Sequence, residues 1–252
     1  TGHDLGQYRG TGYGQLCQYR KADGTDQTWA GVDDWRPAGE YRDKAEELEP
    51  RAQASLYFYG VNPKNNTGNS RWDLYQNWQL EYKWQDGCAK NIKFWYEAGS
   101  REWFEFPIYR MAEFYLNIAE AYNEEGNPTM ALRYLNDIRK RGGIPDETQT
   151  DRVGLRRSIH REWAVEFYEE NQWYPHARHW KQGASMVGGA KYKFEFSQAA
   201  GVSWNPRKPE EFANYTRKPS YVPEYTWHER MSLSPFTLSE VNKGYLVQNP
   251  GY

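Results

Sequence analysis

From Pro107 onward the apolar positions fall into step. Ile108, Met111, Ala112, Tyr115, Ala119 and Tyr122 recur every three or four residues, the spacing of an amphipathic helix. Pro107 suits a first helical position, where its missing N–H is no loss. Gly126 closes this helix, and Asn127-Pro128 opens another as N-cap and first-turn proline. Met130, Ala131, Tyr134, Leu135 and Ile138 share a face of the second helix, which Gly142-Gly143 and Pro145 end. A third helix is predicted from an N-cap at Asp151 to Glu170, with Leu155, Ile159, Trp163 and Phe167 at four-residue steps. Its Glu162, Glu166 and Glu170 share another face, where neighbouring arginines can pair with them. A short helix over 175–180 follows. The pattern predicts a helical scaffold over 107–182 that buries Ile108, Met111, Tyr115, Leu135, Ile138 and Trp163.

On either side the helical period is lost. Residues 1–48 are rich in Gly, Asp, Tyr and Trp and read as loops with short helical pieces. The aromatic run over 55–59, stopped by Gly60, reads as a strand, and 91–96, stopped by Gly99, as a second. Between them 63–70 (Pro-Lys-Asn-Asn-Thr-Gly-Asn-Ser) is an exposed turn region. Beyond Gly183, prolines at 206, 209, 219, 223, 235 and 250 deny a long helix and predict an irregular segment wrapped on the scaffold. The expected organisation is therefore loop-rich over 1–106, helical over 107–182 and irregular over 183–252. The two antiparallel helices resemble one tetratricopeptide-type unit, which cannot bury its face without neighbours.

Composition changes this picture in one respect. Of 252 residues, 38% are hydrophobic, but aromatics alone are 17%, with 12 Trp and 21 Tyr. Such a chain builds its core from rings or presents rings to a ligand. Seven of the Trp (29, 35, 72, 78, 84, 95 and 103) fall among Asn, Gln, Asp and Arg over 29–103. That mixture suits a sugar: rings cover pyranose faces while amides, carboxylates and guanidinium groups take the hydroxyls. The candidate ligand contacts are Trp29, Trp35, Trp72, Trp78 and Trp84, with Arg71, Asp73 and Asn77 as hydrogen-bonding neighbours. Packing of the same rings on a helix is the competing reading, and the six-residue step from Trp72 to Trp78 does not decide between them.

Charge and motifs exclude several classes. A formal net charge of −2 gives no electrostatic footprint for nucleic acid or an anionic membrane. Mean hydropathy is −1.05 and no run of about 18 apolar residues exists to span a bilayer as a helix. Cys17 and Cys88 lack metal or redox spacing. His176 and His179 stand one turn apart without a third ligand nearby, so no metal or other cofactor is expected. No nucleophile elbow, phosphate loop or distinctive carboxylate pair asks for an enzyme.

The stretch from Phe106 to Pro145 resembles the SusD/RagB family of Bacteroidetes outer-membrane lipoproteins. The resemblance lies in Arg110, Ala112-Glu113, Tyr115-Leu116 and Ala119-Glu120-Ala121, then Ala131-Leu132, Leu135-Asn136, Arg139 and Arg141. Glu49-Pro50-Arg51 is similar to that family's Asp-Pro-Arg, and 246–252 (Leu-Val-Gln-Asn-Pro-Gly-Tyr) to its C-terminal signature. After the third helix the family's Arg–Asp–Arg network stands here as Trp173, His176 and His179, which puts the local ion pairing in question. The resemblance implies an all-α fold of tetratricopeptide-like repeats with long loop-rich insertions and a few short strands, of which this chain matches the C-terminal half. It also implies a noncatalytic cell-surface protein of the outer membrane, whose lipid anchor lies outside this chain. Such a protein captures a glycan and delivers it to a SusC-like TonB-dependent transporter. A helical interaction scaffold, a binder of peptide nutrients and a fragment of an α-helical glycoside hydrolase are the alternatives.

Overall fold

The computed structural model describes residues 12–61, 87–93, 107–203 and 211–252. In chain order the first elements are α1 (Tyr13–Leu16), β1 (Arg36–Pro37), α2 (Ala38–Glu46), α3 (Pro50–Ser55), β2 (Leu56–Tyr57) and β3 (Lys90–Asn91). There follow α4 (Met111–Glu125), α5 (Pro128–Arg141), α6 (Arg152–Glu166), α7 (Trp173–His179) and α8 (Gly183–Met186). The chain then forms β4 (Gly189–Gln198), β5 (Phe212–Tyr225), a 3-10 turn (Glu229–Ser232) and α9 (Leu238–Val241).

The helical hairpin forms for the reasons its sequence offers. Asn127 Oδ1 accepts from the Met130 N–H at 3.2 Å and Asp151 Oδ1 from the Gly154 N–H at 2.8 Å, each capping a helix start. Gly126 takes φ 89° to close α4, a conformation that favours glycine. Leu116, Ala119, Ala131, Leu135, Ile138, Leu155, Ile159, Trp163 and Phe167 make one core between α4, α5 and α6. Two residues of the predicted face lie outside it: Ile108 is 77% and Met111 66% exposed. Helix α4 starts only at Met111, so Ile108 precedes it. The buried stripe is Ala112, Leu116, Ala119 and Asn123, one position round from the predicted one. Tyr115 is half-buried at the rim of this core.

An all-α chain is not what forms. Strands β1, β5 and β4, in that order, make an antiparallel sheet, and β2 pairs with β3 in a second. Within the segment after Gly183, where the prolines predict irregular chain, β4 and β5 pair as two long antiparallel strands. Pro219 and Pro223 misdirect because they sit where pairing lapses. Pro219 is registered with Tyr192, and pairing resumes with Glu224 opposite Ala190, so β5 uses more residues than β4 across this irregularity, with Pro223 inside it. Prolines, which have no ladder N–H, are tolerated at such places. Along β4, Phe194 and Phe196 point inward and alternate with half-exposed Lys193, Glu195 and Ser197.

The second core is centred on rings, with aliphatic residues packed around them. Tyr41 of α2 sits at its centre, with ring centroids 5.8 Å from Phe194, 5.1 Å from Phe196, 5.4 Å from Tyr215 and 6.3 Å from Phe58. Its hydroxyl donates to the Cys88 carbonyl at 2.8 Å and accepts from the Tyr59 N–H at 3.3 Å. The polar tip of the ring is thus satisfied, as deep burial demands. This is how a chain poor in aliphatics closes a core. Cys17 and Cys88 are both free thiols.

Ion pairs join the two cores. Arg51 of α3 donates Nε to Glu49 at 2.9 Å, pairs with Glu162 and lies 3.2 Å from Glu166. Arg110, just before α4, donates to both oxygens of Glu170 at 2.7 and 2.8 Å, pairs with Glu166 and covers the Phe167 ring at 3.9 Å. Arg141 also pairs with Glu166, and Lys93 Nζ donates to Glu170 at 2.7 Å. The three glutamates of α6 and its following turn thus gather the predicted arginines from three other elements. A Cβ on Gly142 would stand 2.6 Å from Arg51 Nε, so glycine there makes room for the guanidinium. Burial pushes the Glu166 carboxyl up, but Arg110, Arg141 and Arg51 outweigh it and hold it below the usual carboxylate range.

Where the resemblance expects further ion pairs, rings stack instead. His160 of α6 lies on Trp180 at 3.6 Å and 12°, with His176 of α7 4.6 Å from the same indole and 4.0 Å from Trp163. Trp180 Nε1 donates to Glu120 at 2.8 Å. Burial, together with Arg156 and His176, holds His160 down at about 4, and burial, with His179, holds His176 at about 4. Unfolded imidazoles take their proton near pH 6.5, so between about 6.5 and 4 the unfolded chain holds more protons. Falling pH then favours unfolding in that window. The expected result is a thermal midpoint that falls steadily from pH 7 to 4.5, with His160→Gln flattening the slope. A midpoint constant from pH 7 to 5 would show that the stack does not exclude the proton.

Candidate functional site

The exposed face of the β1–β5–β4 sheet gathers the polar and aromatic groups a ligand needs. Inward residues of the hairpin, Phe194, Phe196 and Tyr215, are buried in the ring core. Registered pairs on the other face are Lys193 with Lys218 and Ser197 with Asn214, all partly exposed, and Glu195 with Thr216, of which Thr216 is buried. Arg36 is registered with Tyr215 and Pro37 with Asn214. By strand alternation Trp35 falls on the side of Pro37 and Asn214, and it is 45% exposed.

The loop carrying Trp35 is held from several sides. Val32 bridges Arg217 in parallel. The Arg217 N–H donates to the Gly31 carbonyl at 3.2 Å, and the Asp33 N–H to the Arg217 carbonyl at 3.2 Å. Asp33 has φ 57°, a left-handed conformation uncommon outside glycine that aspartate tolerates better than most residues. Its carboxylate pairs with Lys218 of β5, which pins this residue to the sheet. One residue on, Arg36 Nε donates to Asp34 at 2.9 Å, and this bond holds the Asp34 carboxyl below its ordinary range. Trp35 thus stands between two residues joined to each other across it. A planar ring with a carboxylate–guanidinium pair beside it can stack on a pyranose and hydrogen-bond its hydroxyls.

The other predicted contacts divide in two. Trp29 is half-buried and packs on the ring core, 5.8 Å from Tyr41 and 5.6 Å from Phe194. Its indole contributes to packing, the competing reading of the aromatic excess. Arg71, Trp72, Asp73, Asn77, Trp78 and Trp84 lie outside the described residues. The described ends that flank them, Val61 and Gly87, are buried, and the Gly87 carbonyl accepts from the Phe194 N–H at 3.3 Å on β4. Asp33, Asp34, Arg36, Asn214 and Lys218 were not singled out from sequence. The alternation over 192–198 was the signal that marks this sheet and its exposed side.

Among the described residues no group of three His, Cys, Asp or Glu is placed to hold a metal ion. His176 and His179 stand 6.4 Å apart edge to face, with His176 engaged by Trp180 and Trp163. Among the same residues no helix is long and apolar enough to cross a membrane.

Comparison with known proteins gives this arrangement a relationship. The sequence profile of the SusD family matches residues 15–252. A SusD-like protein from Bacteroides fragilis has a similar fold, with a TM-score of 0.71 and 25% identity over 96% of this chain and 47% of its own. The selenomethionine form of a protein designated BT4246 superimposes with a TM-score of 0.65 at 24% identity, over 96% of this chain and 46% of that one. The chain spans about half the length of these solved relatives. No curated protein sequence matches it.

Proposed function

Because this chain belongs to the SusD family, we propose that it captures a glycan at the outer surface of a bacterial outer membrane. The glycan passes to a TonB-dependent transporter of the SusC kind, the membrane being reached through a lipid anchor outside this chain. The observation that carries the reading is Trp35, an exposed indole on a loop tied down by Lys218 and the Val32–Arg217 bridge. A ring held this way loses little freedom on binding, which favours affinity. The protein binds and does not catalyse. Arg71, Trp72, Asp73, Asn77, Trp78 and Trp84 remain proposed contacts on the segment between β2 and β3.

A second reading, a protein-interaction scaffold, draws support from Ile108, Met111 and Phe114, apolar residues exposed at the start of α4. Electrophoresis in gels containing soluble polysaccharides separates the two. Retardation by at least one polysaccharide, removed by that free polysaccharide, is the expected result. Migration unchanged by every glycan in a broad panel would favour the scaffold or a peptide nutrient.

A further inference from the structure

Among the described residues, Arg217 is a half-buried cation without a carboxylate beside it. Arg51, Arg110, Arg156 and Arg161, also partly buried, each pair with an acidic side chain. Arg217 makes no ion pair with any described residue. Its guanidinium lies near two rings instead, 4.6 Å from the ring centroid of Tyr13 in α1 and 5.2 Å from that of Tyr192 in β4. The rings meet edge to face at 6.4 Å. Arg217 Nε is enclosed without a hydrogen-bond partner, while the residue as a whole stays partly exposed. Its backbone is fixed at both polar atoms by Gly31 and Asp33, so the side chain starts from a rigid position.

The Tyr13 hydroxyl is a neutral partner for this guanidinium, and a neutral partner with ring contacts offsets only part of the cost of desolvating the charge. A partly exposed guanidinium beside two rings can recognise a carboxylate through two parallel N–H donors. We propose that Tyr13, Tyr192 and Arg217 form a subsite for the carboxylate of an acidic sugar, so that the glycan captured contains uronic acid. The proposal rests on the glycan-capture reading and narrows its substrate class. The tyrosine rings contact the sugar's apolar face, and the Arg217 Nη groups take its carboxylate.

The test uses polygalacturonate, alginate and glucuronoxylan in affinity gels, each beside its carboxyl-reduced counterpart. The expected result is that at least one acidic polymer retards the protein about tenfold more strongly than its reduced form. That difference should shrink as sodium chloride is raised, as a charge pair requires. Arg217→Gln should abolish it, and Arg217→Lys should keep part of it, after circular dichroism confirms folding. Equal retardation by acidic and reduced forms, or a preference untouched by both salt and Arg217→Gln, overturns the subsite. Retardation by neutral polymers alone overturns it while leaving glycan capture intact. Retardation by none overturns both.

Discussion

Arg51→Ala is expected to remove about 3–5 kcal/mol of stability, the usual penalty for breaking a buried ion pair from one side. The Arg51 side chain is 15% exposed, and its acceptors Glu49 and Glu162 are 1% and 4% exposed. Truncation leaves two enclosed carboxylates, of which Glu162 keeps only Arg139 at 3.7 Å. Burial already pushes the Glu162 carboxyl up against the pull of Arg51. Without that pull burial should push the Glu162 carboxyl further up, making the variant's deficit smaller in acid than at pH 8. Chemical denaturation of both proteins at pH 5 and pH 8 checks this. A loss below about 1 kcal/mol at both would show that water reaches the network freely, as at surface pairs.

Leu135→Asp is expected to unfold the helical half. Leu135 of α5 is fully enclosed in the core shared with α4 and α6. An unpaired carboxylate there meets no donor, and its desolvation costs several kcal/mol beyond the lost packing. That approaches the total stability of an ordinary domain, about 5–15 kcal/mol. Leu135→Ala, which only opens a cavity, should cost about 2–5 kcal/mol and keep the fold. Loss of helical circular dichroism in Leu135→Asp, with Leu135→Ala folded at a lower midpoint, is the expected pair of results. A folded Leu135→Asp protein with an unchanged midpoint would place this face in solvent.

What the sequence made legible follows the reach of each signal. Helices α4, α5 and α6 could be read because capping groups and a 3.6-residue period act within a few residues. Asn127, Asp151 and Gly126 all serve as their types suggest. The exposure of Met111 was not legible, because α4 is apolar on more than one side and periodicity does not say which side meets α5 and α6. That of Ile108 was not, because the helix begins only at Met111. The hairpin of β4 and β5 was hidden by Pro219 and Pro223, whose tolerance depends on a lapse in pairing that only the folded register reveals. The site divided for the same kind of reason. Trp29 and Trp35 stand six residues apart in one loop-rich stretch, yet one packs on Phe194 and the other faces solvent. Their separation is decided by β1 joining β5, a contact across some 180 residues of chain. The acidic and basic residues around Trp35 carry no motif, and their roles arise only when Lys218 and Arg217 are brought beside 31–36.

The central claim is that Trp35 presents a binding ring to a glycan while Trp29 does not. Isothermal calorimetry with a polysaccharide that retards the parent protein tests it most directly, on folded Trp35→Ala and Trp29→Phe variants. A stacked ring contributes on the order of 1 kcal/mol, so Trp35→Ala should weaken binding about fivefold or more. Trp29→Phe should bind as the parent does. Full affinity in Trp35→Ala, or a loss in Trp29→Phe as large as that expected at Trp35, would contradict the account.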